Sequence, residues 1–332
     1  MGARGRPTGV PPERRALLRF FTLFPAAYAS FKEDKAPRLG AALAYYTVLS
    51  IPPLLVVLIA MAGMAFDPHE VRQRVVTTFA RLVGEQGAAA VHEMMASARH
   101  THRGTIATVI GVVLLLLSAS GVFGQLKDAL NTLWEVEPRP GRGLRAWFGE
   151  YVFSMMVLFG TGFLLIVSLA VTALLAALGD YLAHRLPGGE ALWQVVNFFV
   201  SLGVVGVLFA MLFRFIPDGH VVWKDAVVGG LVTSVLFTLG QLAIGFYLGR
   251  SNVGSSYGAA GSLVVMLVWI YYSSMIFLYG AEFTKTYAMH LGERVRPDED
   301  AVAVTSETRA QQGIPWRRAG DHAAGRRSEG AR

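Results

Sequence analysis

The stretch from Gly261 to Tyr287, GSLVVMLVWIYYSSMIFLYGAEFTKTY, decides the fold class. Between Leu263 and Leu278 it holds no charge, no Pro and no Gly, and nine of its residues are Leu, Ile, Val or Phe. With its flanks it is long enough to cross the roughly 30 Å hydrocarbon layer as one helix. At about −0.3 to −0.6 kcal/mol each, those nine side chains favour insertion by roughly 3–5 kcal/mol. A Glu at the bilayer centre would cancel most of that, at about +2.5 to +3.5 kcal/mol. Glu282 stands instead at the far end, one turn from Lys285, where the cost is smaller and a partner is at hand.

Composition points the same way. Of the 332 residues, 53% are hydrophobic and 16% charged, against about 25% charged in soluble domains. The mean hydropathy is +0.45. The absence of cysteine excludes disulfides, thiolate metal sites and a Cys nucleophile. The first 39 residues show no signal peptide, so the membrane segments themselves are expected to direct insertion.

The expected fold is all-α, a polytopic membrane helix bundle with six transmembrane spans and amphipathic helices outside the bilayer. Residues 1–39 read as a basic segment, disordered at its beginning, with an amphipathic helix on the membrane surface from about Pro12 to Phe31. The transmembrane domain covers 40–287, with spans at about 40–66, 105–123, 148–178, 192–213, 225–248 and 261–284. Pro52 and Pro53 remove backbone donors from the first span and predict a kink there. Residues 68–101 carry Val71, Val75, Phe79 and Leu82 at helical spacing and read as two short amphipathic helices beyond the membrane. From 288 to 332 the chain is polar and rich in Gly and Arg, and it reads as a disordered tail.

Six spans put both termini on one side. Eight Lys/Arg precede the first span, and Lys127, Arg139, Arg142 and Arg145 follow the second, giving that side the denser positive charge. By the positive-inside rule both termini are expected to be cytoplasmic. The net charge of +7 then reflects topology and contact with anionic membrane lipids, not nucleic acid.

No phosphate-binding loop, no G-x-S-x-G elbow and no metal-spaced His set occurs, so neither a cofactor, a metal nor a catalytic residue is expected. What stands out is polar and aromatic content at membrane depth: Tyr45, Tyr46, Ser50, Pro52 and Pro53 in the first span, Gln241 in the fifth, Tyr271 and Tyr272 in the sixth. One reading makes these interhelical hydrogen-bond glue. The other makes them the lining of a cavity, with the kinked helix as its broken element. Arg214 and Glu282, at similar predicted depth, are candidates for an ion pair on the inner face.

The order Ala44-Tyr45-Tyr46-Thr47, Ser50-Ile51-Pro52-Pro53, Phe213-Arg214-Phe215-Ile216-Pro217-Asp218, Trp223-Lys224-Asp225-Ala226, Gly229, Tyr257-Gly258, Trp269-Ile270-Tyr271-Tyr272 and Gly280-Ala281-Glu282 resembles the YihY/BrkB family of bacterial inner-membrane proteins. The match runs from about Phe20 to Leu291. The resemblance implies six helices with both termini inside, and a transport or lipid-handling role. Some members have carried a ribonuclease label, which fits these residues badly because phosphodiester hydrolysis calls for clustered carboxylates or His around a metal. The leading expectation is therefore a non-enzymatic membrane protein that moves or accommodates a lipid-like or small solute without nucleotide hydrolysis. The alternative is an envelope structural or assembly protein that binds a protein partner through its outer helices. Three spans per half would permit inverted symmetry, but no residue-level repeat joins 40–178 to 192–287.

Overall fold

The computed structural model describes residues 12–62, 121–139, 189–250, 261–293 and 295–314, together with 73, 76, 77, 80 and 89. The expected span 148–178, the span 105–123 up to residue 120, most of 68–101, Tyr257, Gly258 and the tail beyond 314 lie outside the described residues. Two helices open the chain, α1 (Pro12–Glu33) and α2 (Ala36–Ala62). Helical residues 121–134 form α3, followed by strand β1 (Val136–Pro138). Then come α4 (Gly189–Phe215), β2 (Gly219–His220), α5 (Trp223–Arg250) and α6 (Gly261–His290). Strands β3 (Arg296–Pro297) and β4 (Ala301–Ala303) and the short helix α7 (Ser306–Gln311) complete it.

The long helices are what uninterrupted apolar sequence dictates. The apolar parts of α4, α5 and α6 are Gln194–Phe215, Trp223–Tyr247 and Leu263–His290, 22, 25 and 28 residues long. At 1.5 Å per residue the shortest rises about 33 Å, enough to cross a bilayer. The protein is an all-α membrane protein. In α2 the prolines at 52 and 53 interrupt the hydrogen-bond ladder without ending the helix, which continues to Ala62.

α6 is the centre of the packing, with α5, α2 and α1 laid against it and α4 against α5. The main core gathers Leu39 and Leu43 of α2, Leu130, Leu133 and Trp134 of α3, Phe209 and Phe213 of α4, and Phe277 and Leu278 of α6. Phe213 and Phe277 meet with ring centroids 5.2 Å apart. Burial is concentrated at this end of the bundle. Further along, side chains such as Phe199, Leu239, Leu242 and Phe246 are exposed, as a lipid-facing surface requires.

Small residues let the helices close. A Cβ on Gly230 would stand 2.3 Å from the Gly206 carbonyl oxygen. α5 and α6, running antiparallel, exchange two Gly–Thr contacts: Gly229 accommodates Thr284, and Gly280 accommodates Thr233.

α1 docks one face on the bundle, where Leu23 and Ala27 are buried against Phe283 of α6. One expectation needs correction. The tail is not disordered from 288. α6 runs on to His290, β4 pairs antiparallel with β1 (Val136 opposite Ala303), and β3 pairs with β2 (Gly219 opposite Pro297). High charge and Pro/Gly content read locally as disorder, yet Ala301, Arg309 and Ile314 are buried against the bundle.

Candidate functional site

Four segments far apart in sequence converge at one end of α6. α1 stops at Asp34 because Lys35 turns left-handed (φ 53°). Asp34 is thereby left fully buried. α3 stops in the same way at Glu135, also left-handed (φ 58°). Glu282 and Lys285, three residues apart, share a face of α6. Arg309 comes from α7, whose start is fixed by Thr305 accepting a hydrogen bond from the Thr308 amide at 3.2 Å.

The geometry is that of an interlocked charge cluster. Lys285 Nζ lies 2.9 Å from Glu135 Oε1 and 3.4 Å from Asp34 Oδ2. The Arg309 guanidinium forks, with Nη2 at 2.7 Å from Asp34 Oδ1 and Nη1 at 3.2 Å from Glu135 Oε1. Glu282 is fully buried and adds its charge beside Lys285. Burial works against a charge on Glu135, but Lys285 and Arg309 outweigh it and hold that carboxyl below its ordinary range. Chemically such a cluster can hold several charges in a shielded space, shift them together, or stay locked as a structural tie.

A second polar group stands beside it. Asp218 accepts from Asn131 Nδ2 at 2.8 Å and pairs with Lys127 Nζ at 2.9 Å, while its own amide donates to Asn131 Oδ1 at 2.8 Å. Its carbonyl accepts the Asp298 amide at 3.0 Å, which ties the turn after α4 to the C-terminal segment. Burial raises the Asp298 carboxyl above its usual range, opposed by His220. Pro217, which sets this turn, is buried.

The residues singled out from sequence are not brought to one place. Among the described residues, no ion pair joins Arg214 to Glu282. Arg214 Nη1 donates to the Val221 carbonyl and its guanidinium lies 5.1 Å from the Trp223 ring, whereas Glu282 shares its helix face with Lys285. Tyr46 packs on α3 at Gly121, Tyr271 approaches Gly40 of α2, and Tyr272 approaches Gly240 of α5. Tyr45 is exposed and meets Tyr46 edge-on at 5.6 Å. Ser50 Oγ donates to the Thr47 carbonyl at 2.8 Å, and Gln241 is half-buried. Trp269 packs against Ile270 and Met266, and Gly280 takes Thr233. Pro52 and Pro53 lie within the helical backbone of α2. Sequence reasoning passed over Asp34, Glu135 and Arg309. Only Lys285 carried a visible signal, its spacing from Glu282. Among the described residues no group of three or more His, Asp or Glu side chains is placed to hold a metal ion.

A sequence profile of the family described as Virulence factor BrkB matches residues 27–304. A UPF0761 membrane protein of Ralstonia nicotianae is 30% identical over 278 residues, covering 83% of this chain and 59% of its own length. One from Pseudomonas paraeruginosa is 30% identical over 260 residues, covering 76% of this chain and 59% of its own length. One from Tolumonas auensis is 28% identical over 284 residues, covering 82% of this chain and 89% of its own length. The chain thus spans a little over half the length of the first two relatives. No solved structure matches it.

Proposed function

Because the chain belongs to the BrkB family of membrane proteins, we propose that it is an inner-membrane bundle that moves or accommodates a lipid-like or small solute without nucleotide hydrolysis. In this reading both termini are cytoplasmic, and the buried cluster of Asp34, Glu135, Glu282, Lys285 and Arg309 sits at the cytoplasmic end of the path.

The cluster is the observation that carries the reading. Burying ions is costly, and replacing a buried ion pair by apolar residues is often neutral or even stabilising. At the end of a bundle, ionisable groups kept out of water by the surrounding helices accompany ion and substrate paths. A shielded set of acids and bases is the kind of element that couples passage of a solute to a proton or a small ion.

The test is flux through purified protein in liposomes, read with fluorescent phospholipids for exchange between leaflets and with a panel of trapped small solutes. Wild type is expected to raise at least one rate several-fold above protein-free vesicles. Glu282→Gln and Lys285→Met, at wild-type yield and elution volume, are expected to lower it at least tenfold. Folded wild type that moves nothing overturns the transport reading in favour of a second one, an envelope structural protein. The close contact of Gly230 with Gly206 and Ala210 favours that second reading, since it describes helices locked together.

A further inference from the structure

α1 has three faces, and the bundle uses one of them. At 3.6 residues per turn, Phe20, Leu23, Phe24, Ala27 and Phe31 fall within an arc of about 100°. This face is docked: Phe24 and Phe283 rings lie 4.8 Å apart, Phe31 and Tyr279 rings 6.0 Å, and Tyr279 Oη donates to the Phe24 carbonyl at 3.0 Å. Phe21, Pro25, Tyr28 and Lys32 fall within a separate arc of about 60°. This second face is apolar and open, with Phe21 64% and Tyr28 56% exposed. Thr22, Ala29 and Glu33, all exposed, make a small and polar third face on the far side of it.

A soluble amphipathic helix has one apolar stripe, and it is buried. Two apolar faces followed by a polar one describe a helix lying along a membrane surface, with a protein wall beside it, lipid beneath it and water above it. The docking level agrees. α1 rests on Tyr279, Phe283 and Tyr287, the last turns of the apolar helix α6, where hydrocarbon gives way to headgroups. Charge sets the lipid type. Lys32 ends the apolar stripe with Nζ 6.0 Å from the Tyr28 ring centroid, so an ammonium group stands where the stripe reaches the headgroup layer.

We propose that the Phe21–Pro25–Tyr28 face of α1 is a docking surface for the bilayer itself, immersed at the boundary of headgroups and acyl chains, with Lys32 on the phosphates of anionic phospholipids. The surface is independent of any transport activity.

The chain contains no cysteine, so one introduced thiol labels uniquely. Phe21→Cys, Tyr28→Cys, Thr22→Cys and Ala29→Cys each carry a nitroxide in full-length protein, in discs of phosphatidylglycerol and phosphatidylethanolamine. Collision with oxygen, which partitions into lipid, is compared with collision with a water-soluble nickel chelate. Labels at 21 and 28 are expected to favour oxygen several-fold over those at 22 and 29. Equal nickel access at all four sites overturns the proposal by placing both faces in water. Low access to both reagents at 21 and 28 overturns it in favour of a protein partner or a second copy. In discs of phosphatidylcholine alone the labels are expected to lie shallower, and unchanged immersion removes the role of Lys32.

Discussion

Gly280→Ala is the sharpest test of how α5 and α6 hold together. In an open helix the change would stabilise by about 1 kcal/mol, because Gly is a poorer helix former than Ala. Here the new Cβ would stand 2.1 Å from Thr233 Oγ1, 2.6 Å from its Cγ2 and 2.8 Å from its Cβ. Thr233 cannot turn aside freely, since it is fully buried and its hydroxyl donates to the Gly229 carbonyl at 2.7 Å. The same contact is repeated one turn away, where a Cβ on Gly229 would come within 1.9 Å of Thr284 Oγ1. Overpacking of this kind costs about 1–3 kcal/mol, and a lost hydrogen bond adds about 0.5–1.5 kcal/mol. Clash therefore outweighs propensity, and Gly280→Ala should lose roughly 1–3 kcal/mol net. Thr233→Ala in the same chain removes the two nearest atoms and leaves a single 2.8 Å contact, so the clash is reduced but not abolished. The assay is thermal unfolding in detergent of wild type, both single variants and the double variant. The double variant should be more stable than the sum of the two single losses, with coupling of about 0.5–3 kcal/mol. A Gly280→Ala protein as stable as wild type, or strictly additive losses, refutes the packing argument.

Two further outcomes concern the buried charges. Asp34→Asn leaves Lys285 and Arg309 short of a fully buried acid, and breaking such a set should cost about 3–5 kcal/mol, seen as a fall in melting midpoint or in detergent-soluble yield. A midpoint within error of wild type would show that the cluster adds nothing to stability. Glu135 has its folded pKa depressed, chiefly because Lys285 and Arg309 outweigh burial, so its contribution is complete above the ordinary carboxylate range and disappears as pH falls through the lower folded value. The midpoint difference between wild type and Glu135→Gln should accordingly be constant near neutrality and shrink below about pH 4, and a difference that persists unchanged in acid contradicts the assignment.

What was legible in the sequence was whatever depends on neighbours in the chain. A run such as Leu263–Leu278 has one low-energy solution in a bilayer, and α4, α5 and α6 each form over an apolar run long enough to cross one. The cluster was not legible for the opposite reason. Lys285 reaches Asp34 across 251 positions and Arg309 reaches Asp34 across 275, and nothing local marks either acid as a partner. Arg214 shows the hazard of pairing charges by depth alone: its guanidinium donates to a backbone carbonyl seven residues away and lies against the Trp223 ring. The tail misled because Pro, Gly and charge describe a solvated chain just as well as a strand pair docked on a bundle.

The cluster also constrains topology in a way that hydropathy alone does not. Asp34 closes α1 and Glu135 closes α3, and both meet Lys285 of α6 and Arg309 of α7, so the described N-terminal and C-terminal segments lie together at one end of the bundle. α4 reaches the same end at Phe215, where Asp218 holds Asn131. This placement rests on ion pairs and hydrogen bonds, not on apolar content. A membrane-impermeant thiol reagent tests it directly: cysteines at Ala29 and at Thr308 should react from one side, and one within 68–101 from the other. Reaction of all three from the same side would contradict the expected six-span topology.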